Sequence, residues 1–254
     1  MSAVAATVTK VLPASSVCTA IAYAHRRFEP EMMPIVSACD PDGVAVDVGA
    51  WYAPWTHWLS RRVERVVAFE PNPSVAEVIR AWVPGNAEVR QLAVSDGPGS
   101  VSLAVTGTHR FEEGRSYIDL TDSADNRVEV RTTRLDDEGL DRVRLVKIDV
   151  EGHELAALQG AIGVLEGYHP VVVVELETRY GDVGPVFELL ISLGYRARIL
   201  VDRRWERTGA EALANRQLRH PPAQGGYLKN ATRRGNGYVN NVVFAHPEST
   251  WVPW

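Results

Sequence analysis

Short apolar runs that alternate with helical stretches constrain the fold of this chain more than any other feature. The runs are GVAVDVG (43–49), RVVAFEP (65–71), AEVRQLAVSD (87–96), VRLVKIDVEG (143–152), PVVVVELE (170–177), GYRARIL (194–200) and NNVVFAH (240–246). Short runs that are largely apolar on both faces are typical of strands buried inside a parallel sheet. We therefore expect a central sheet in which the last two runs form a final pair of strands.

Segments with apolar residues three and four positions apart separate these strands. The predicted helices cover residues 14–27, 54–63, 73–82, 151–167 and 184–194. Asn72 is placed to cap the helix at 73–82, and Pro73 suits the first position of that helix. Strands that alternate with helices predict an α/β fold with a doubly wound, mostly parallel sheet.

Two inserts interrupt the alternation, at residues 97–135 and 202–239. We divide the chain into an N-terminal helical extension, 1–40, and one main domain, 41–254, that contains both inserts. The second insert has eight Lys or Arg residues against three Asp or Glu residues, within a chain whose net charge is -5. Because long segments of this kind are usually functional, we expect the inserts to bind an acceptor or to close over it as a lid.

Composition argues against several classes of partner and location. The net charge of -5 and the pI near 5.8 argue against nucleic-acid binding, since nucleic-acid-binding domains are usually basic. Cys18 and Cys39 both precede the first strand, so we expect no disulfide framework and a cytoplasmic location. No run approaches the roughly 20 apolar residues that a membrane span needs. The sequence leaves the formation of homo-oligomers open.

Acidic or polar residues follow each of the first five strands. Asp47 and Gly49 end the first strand, and Glu70 ends the second. An acid about 20 residues past the first turn is typical of a ligand for ribose hydroxyls. The later strand ends contribute Ser95, Asp96, Asp149, Glu151, His153, Glu175 and Glu177. Because open α/β sheets bind ligands at the carboxyl ends of their strands, this pattern predicts a site for an adenosine-containing ligand.

The turn after the first strand narrows the choice of adenosine ligand. It has neither the three-glycine dinucleotide fingerprint nor a Walker lysine. A pyrophosphate needs backbone amides that approach closely, whereas the amino-acid tail of S-adenosylmethionine does not. The pattern therefore favours S-adenosylmethionine over NAD or ATP.

In these segments the chain resembles FkbM-type S-adenosylmethionine-dependent methyltransferases. The matching segments are VDVGA, VVAFEPNP, QLAVSD, TTRLDD, VKIDVEGHELAALQGA and VVVVELE, which lie between about residues 40 and 180. The resemblance implies a class I methyltransferase fold, Rossmann-like, with a seven-stranded sheet whose last strand is antiparallel. It also implies an enzyme that methylates hydroxyl groups of sugars or polyketides.

The resemblance assigns cofactor contacts to individual residues. Asp47 and Gly49 would face the methionine part, Glu70 the ribose, Ser95 and Asp96 the adenine, and Asp149 the methyl group. The neighbouring positions in the predicted cofactor site are Ala50, Trp51, Pro71, Asn72 and Ala93. The chain departs from the family at Trp51 and Ala53, where Asn and Gly are usual. The side chain of Trp51 either lines the cofactor pocket or packs under the first helix.

His153 is the first candidate for the base that removes the acceptor's hydroxyl proton, since an imidazole titrates near neutral pH. Asp149 or Glu151 could take the proton instead, or orient His153. A divalent metal, magnesium in the first instance, is an alternative, because Asp149 and Glu175 end neighbouring strands.

The acceptor is expected to be a sugar, an oligosaccharide or another glycosylated small molecule. Aromatic rings stack on sugars and arginine forks bind anions, so Tyr117, Arg115 and Tyr238 are candidate acceptor-binding residues. Glu175, at the end of its strand, is a fourth candidate. A polyketide or peptide natural product is a second acceptor class. A non-catalytic binding module is a third reading, if Trp51 and Ala53 block the pocket.

Overall fold

A computed structural model describes residues 14–105, 116–118, 127–221 and 237–254. Its strands are β1 (Val44–Val48), β2 (Arg65–Phe69), β3 (Ala87–Arg90), β4 (Ala93–Val94), β5 (Gly99–Val105), β6 (Ser116–Ile118), β7 (Arg127–Thr133), β8 (Val143–Ile148), β9 (Val171–Glu175), β10 (Arg196–Val201), β11 (Arg204–Arg207) and β12 (Asn241–Ala245). Its helices are α1 (Ala14–Phe28), α2 (Met32–Ala38), α3 (Pro54–Leu59), α4 (Pro73–Arg80), α5 (Glu154–Gln159), α6 (Ile162–Tyr168), α7 (Gly184–Ser192) and α8 (Ala210–Arg219).

The central sheet has the strand order β11-β10-β12-β9-β8-β1-β2-β3. Strands β9, β8, β1, β2 and β3 are mutually parallel, and β12 is antiparallel to both β9 and β10. The predicted doubly wound, mostly parallel sheet with an antiparallel last strand is confirmed. An eighth strand, β11, extends the predicted seven because the chain turns back after β10 as a hairpin.

Helices cover both faces of the sheet, as a doubly wound fold requires. Apolar side chains of α5, α6, α7 and α8 pack on one face in the largest core cluster. On the other face, α2 and α3 form a second cluster, and α1 and α4 enclose a third around Ala50 and Tyr52. The valine-rich strands are buried on both sides, which explains their continuous apolar runs.

The N-terminal helices are tied to the main domain by tryptophan side chains. The indole N–H of Trp58 donates to the Ala22 carbonyl at 2.9 Å, and that of Trp82 donates to Thr19 Oγ1 at 3.1 Å. Both acceptors lie in α1, whose predicted extent of 14–27 agrees with the structure. None of the helices in the described residues is long and apolar enough to cross a bilayer.

The predicted strand at 87–96 is wrong in one respect, because it divides into β3 and β4. The Arg90 carbonyl accepts the Glu70 N–H where β2 ends, so the chain has no neighbouring strand beyond that point. Residues 93–94 instead pair with β7, in a second sheet of order β4-β7-β5-β6. This sheet forms most of the described part of the predicted insert 97–135.

The single helix predicted at 151–167 is also wrong, because it divides into α5 and α6 at Gly160. A Cβ on Gly160 would lie 1.9 Å from the Ser95 carbonyl oxygen, so the backbone of the two segments is in direct contact. The helix predicted at 54–63 ends earlier, at Leu59. The insert 202–239 contains β11 and α8, and residues 222–236 lie outside the described part.

Candidate active site

Gly49 brings the turn after β1 against the turn after β8. Its φ is +79°, and its N–H donates to the Phe69 carbonyl at 2.9 Å. A Cβ at this position would lie 1.8 Å from the carbonyl oxygen of Asp149. Only glycine therefore fits here, and the two predicted strand ends meet at the carboxyl edge of the sheet.

Trp51 and Ala53 both have left-handed backbone conformations, with φ of 47° and 57°. Asn and Gly, which are usual in the family at these places, adopt this conformation most readily. The two departures therefore keep a backbone path that suits the family's residues. The ring of Trp51 lies 5.0 Å from Tyr52 and 6.2 Å from His25 of α1, measured between ring centroids.

Glu70 is held by the backbone of two loops. Its carboxyl accepts the Trp51 N–H at 2.8 Å through Oε2 and the Asn72 N–H at 2.9 Å through Oε1. Glu70 is 5% exposed, and this burial raises its pKa to about 8. Each oxygen retains a lone pair, so hydroxyl donors could still bind, and they would favour the ionised carboxylate. Asn72 also caps α4, as predicted, by accepting the Ser74 N–H at 3.0 Å.

Asp47 has local partners in α3. Its Oδ2 accepts the backbone N–H of Thr56 at 3.0 Å and the Thr56 hydroxyl at 2.6 Å. Burial raises the pKa of Asp47 to about 6. The carboxyl therefore anchors the first turn of the helix that follows Gly49. Contact between Asp47 and a methionine tail stays a prediction.

Ser95, Asp96 and His153 form one hydrogen-bonded group. The Ser95 hydroxyl lies 2.9 Å from His153 Nε2 and donates to Asp96 Oδ1 at 3.1 Å. Burial lowers the pKa of His153, against the opposing effect of Asp96. The candidate base is thus engaged by the residues expected at the adenine. Of the neighbouring cofactor positions, Ala93 lies in β4 and Ala50 donates its N–H to the Phe69 carbonyl, while Pro71 links Glu70 to Asn72.

A buried lysine lies between the two carboxyls that end β8 and β9. Lys147 Nζ is 3.9 Å from Asp149 Oδ2 and 3.9 Å from Glu175 Oε2. Glu175 Oε1 accepts the Asn240 side-chain N–H at 2.6 Å. Burial and the neighbouring Asp149 raise the pKa of Glu175 well above its ordinary value.

The remaining candidates lie near the end of β9, after β8, in the second sheet or outside the described residues. The Tyr238 hydroxyl donates to Glu177 Oε1 at 2.8 Å, and Glu177 also forms an ion pair with Arg179. Glu151 is half-buried, with a φ of 48°. Tyr117 lies in β6, whose backbone pairs with β5. Arg115 lies outside the described residues.

The residues at this edge do not fit a divalent metal. A magnesium ion binds oxygen at about 2.1 Å, so an ion on the oxygens that face Lys147 would lie within about 6 Å of its ammonium. In the described part of the chain, only His169, His246 and Glu248 form a group of three His, Cys, Asp or Glu ligands close enough to share an ion. Those residues precede β9 and follow β12, at the opposite edge of the sheet. We therefore derive no step through a metal.

Sequence reasoning missed Lys147 and Asn240. The signal for Lys147 was present, because a charged residue interrupts the apolar run VRLVKI and shares a strand face with Asp149 two positions later. Asn240 precedes the last strand, and its proximity to Glu175 depends on the antiparallel insertion of β12 next to β9.

A sheet of this order, with a glycine turn after its first strand and an acid at the end of its second, defines the class I methyltransferase fold. The chain belongs to the methyltransferase FkbM domain family, whose model matches residues 37–197.

Several known proteins similar to this chain are methyltransferases by name. The hexuronic acid methyltransferase AglP of Haloferax volcanii is 29% identical over 147 residues. The matched part covers 55% of this chain and 58% of that protein, little more than half of each. A methyltransferase FkbM structure from Methylobacillus flagellatus KT has 15% identity and a TM-score of 0.47, covering 80% of this chain and 44% of the other. A putative methyltransferase from Streptococcus mutans in complex with SAH has 8% identity and a TM-score of 0.46, covering 87% and 98%.

Proposed function

We propose that this protein transfers a methyl group from S-adenosylmethionine to a hydroxyl group of a sugar-containing acceptor. The observation that carries the proposal is Glu70, a carboxyl that two backbone amides orient at the end of β2, beside the Gly49 turn. In a chain of this family, that arrangement suits the ribose of the methyl donor.

Three groups of residues would hold the methyl donor. Glu70 would accept the ribose hydroxyls, the turn after Gly49 would receive the methionine part, and the Ser95–Asp96–His153 group would meet the adenine. The bound donor supplies an electrophilic methyl group on a sulfonium. The protein's task is to align an acceptor hydroxyl with that methyl group and to remove the hydroxyl proton.

Asp149 is the proton acceptor that we propose for the transfer. Its side chain is 32% exposed, whereas the adjacent Lys147 is buried, so an acceptor can reach Asp149 from the open edge. His153, the first candidate from the sequence, is already paired with Ser95 and becomes the second candidate, ahead of Glu151.

An anionic sugar is the acceptor class that we propose. The similar protein from Haloferax volcanii is named a hexuronic acid methyltransferase. In this chain Arg179 is 37% exposed in its side chain and lies beside Glu177 and Tyr238 near the end of β9. An arginine fork at this place could bind a sugar carboxylate, and Tyr238 could contact the ring.

The test is transfer of a labelled methyl group to matched sugars. We expect labelling of glucuronic acid glycosides and at least tenfold less labelling of the corresponding glucosides. Asp149→Asn should reduce kcat by about 100-fold or more, in the range that loss of a general base produces. The surface variant Asp141→Asn is the matched control and should retain full activity. Labelling of neither sugar would contradict the acceptor class, and full activity in Asp149→Asn would contradict the assigned base.

A further inference from the structure

Lys147 is a cation enclosed in the core of the sheet. It lies on β8, directly across from Asp47 in the register with β1, and its side chain is 1% exposed. Its Nζ is 3.9 Å from each of two carboxyl oxygens, on Asp149 and Glu175. A lysine is rarely buried to this extent, and a buried lysine is usually paired with acidic groups, as Lys147 is.

The surroundings of Lys147 keep it charged. Burial alone would lower the pKa of Lys147, but Asp149, Glu29, Glu175 and Asp47 outweigh burial and raise it. Its Nζ also lies 5.7 Å from the ring centroid of Trp55, within the range of a cation–π contact.

Glu29, in the loop between α1 and α2, completes this environment. It accepts the Trp55 indole N–H at 2.6 Å and lies 2.6 Å from His25 Nε2. Burial acts to raise the pKa of Glu29, yet His25, Lys147 and Trp55 together lower it to about 2. The N-terminal extension thus supplies an ionised counter-charge for Lys147.

We propose that the Lys147 ammonium is the built-in cation of this active site, a positioning residue that takes the place of a divalent metal between Asp149 and Glu175. The inference rests on the proposed methyl transfer at the same site. By lying 3.9 Å from an oxygen of each carboxyl group, Lys147 fixes them at the edge of the sheet where the acceptor hydroxyl would bind. A hydrated dication would meet the repulsion of this ammonium within about 6 Å.

The experiment is a titration with Mn²⁺, followed by the electron paramagnetic resonance signal of the free ion. It needs neither methyl donor nor acceptor, so its outcome is independent of whether the proposed methyl transfer is found. The wild type should show no Mn²⁺ binding that Asp149→Asn removes. The neutral variants Lys147→Met and Lys147→Gln should bind Mn²⁺ at least tenfold more tightly than the wild type, and adding Asp149→Asn to either should abolish the gain.

Lys147→Arg is the matched control, because it keeps the cation and should bind Mn²⁺ no better than the wild type. In the methyl-transfer assay it should recover part of the kcat that Lys147→Met loses, which a merely space-filling role would not produce. Thermal unfolding of each variant shows which of them fold. One folded neutral variant is enough to measure the change in Mn²⁺ affinity. Wild-type affinity for Mn²⁺ in both folded neutral variants would overturn the proposal, as would tight Mn²⁺ binding by the wild type that Asp149→Asn removes.

Discussion

At the scale of single residues, Glu70 joins local structure to ligand binding. Two backbone N–H groups hold its carboxyl in one orientation, while burial raises its pKa to about 8. A carboxyl that is protonated in the free protein and ionised by a hydroxyl-donating ligand couples ligand binding to proton release. The residue that we propose for the ribose should therefore also make affinity depend on pH.

The affinity for S-adenosylhomocysteine should rise with pH between about pH 6 and pH 8. Below the raised pKa, Glu70 must lose its proton when ribose hydroxyls bind, which weakens binding by up to tenfold per pH unit for one proton. Above about pH 8 the carboxyl is already ionised and the affinity should level off. Calorimetric titration across this range measures the slope, and Glu70→Gln should flatten it. An equal slope in both proteins would assign the proton release to another group.

Trp51→Asn should change stability more than cofactor affinity. The variant loses the ring contacts with Tyr52 and His25, at a cost of about 1–3 kcal/mol. It recovers about 1 kcal/mol, because Asn tolerates the left-handed backbone at this position. The backbone N–H that binds Glu70 is retained. Chemical denaturation and calorimetry separate the two effects, with Trp51→Phe as the aromatic control. Loss of cofactor binding at unchanged stability would instead place the ring in the ligand pocket.

At the scale of elements, the positions of the main strands could be predicted from the sequence. The positions at which a predicted strand or helix divides into two could not. Valine-rich runs identify buried strands because burial on both faces demands apolar residues throughout. The division of 87–96 depends on where β2 ends, and the division of 151–167 depends on contact between Gly160 and Ser95. Both divisions are caused by contacts with residues far away in the sequence, and local periodicity carries no information about such contacts.

Gly160→Ala should destabilise the protein by about 1–3 kcal/mol or more, since its Cβ would lie 1.9 Å from the Ser95 carbonyl. Because Ser95 must then move, affinity for S-adenosylhomocysteine should also fall. Gly167→Ala is the matched control, as no atom lies within 4 Å of the added Cβ and α6 gains up to about 1 kcal/mol of helix propensity. Denaturant unfolding measures both variants, and equal stabilities would refute the role of Gly160 as a packing contact.

At the scale of the whole molecule, the N-terminal helices lie against the candidate site although the family match begins at residue 37. Glu29 contacts the indole of Trp55 beside Lys147, and Glu31 accepts the Asn241 side-chain N–H at 2.7 Å across the end of the sheet. The strand ends on which the site is predicted lie close together because parallel strands bring their carboxyl ends to one edge of the sheet. The hydrogen bond between Glu31 and Asn241 could not be predicted, because these two residues lie more than 200 positions apart in the sequence.

A chain that begins at residue 39 should be strongly destabilised. It would lose the apolar side chains of α1 and α2 that pack in two of the core clusters, together with the acceptors of the Trp55, Trp58 and Trp82 indole groups. It would also leave Lys147 without its Glu29 counter-charge. Thermal unfolding of the shortened and full chains makes the comparison. An unchanged melting temperature would show that the extension is dispensable for folding.

The central claim is that the carboxyl edge of this sheet binds S-adenosylmethionine through Glu70. Calorimetric titration with S-adenosylhomocysteine at about pH 8 tests it most directly, in the wild type, in Glu70→Ala and in Glu77→Ala, whose side chain is exposed on α4. We predict one site per chain, at least tenfold weaker in Glu70→Ala and unchanged in Glu77→Ala. No binding by the wild type at millimolar ligand, or equal affinity in all three proteins, would contradict the claim.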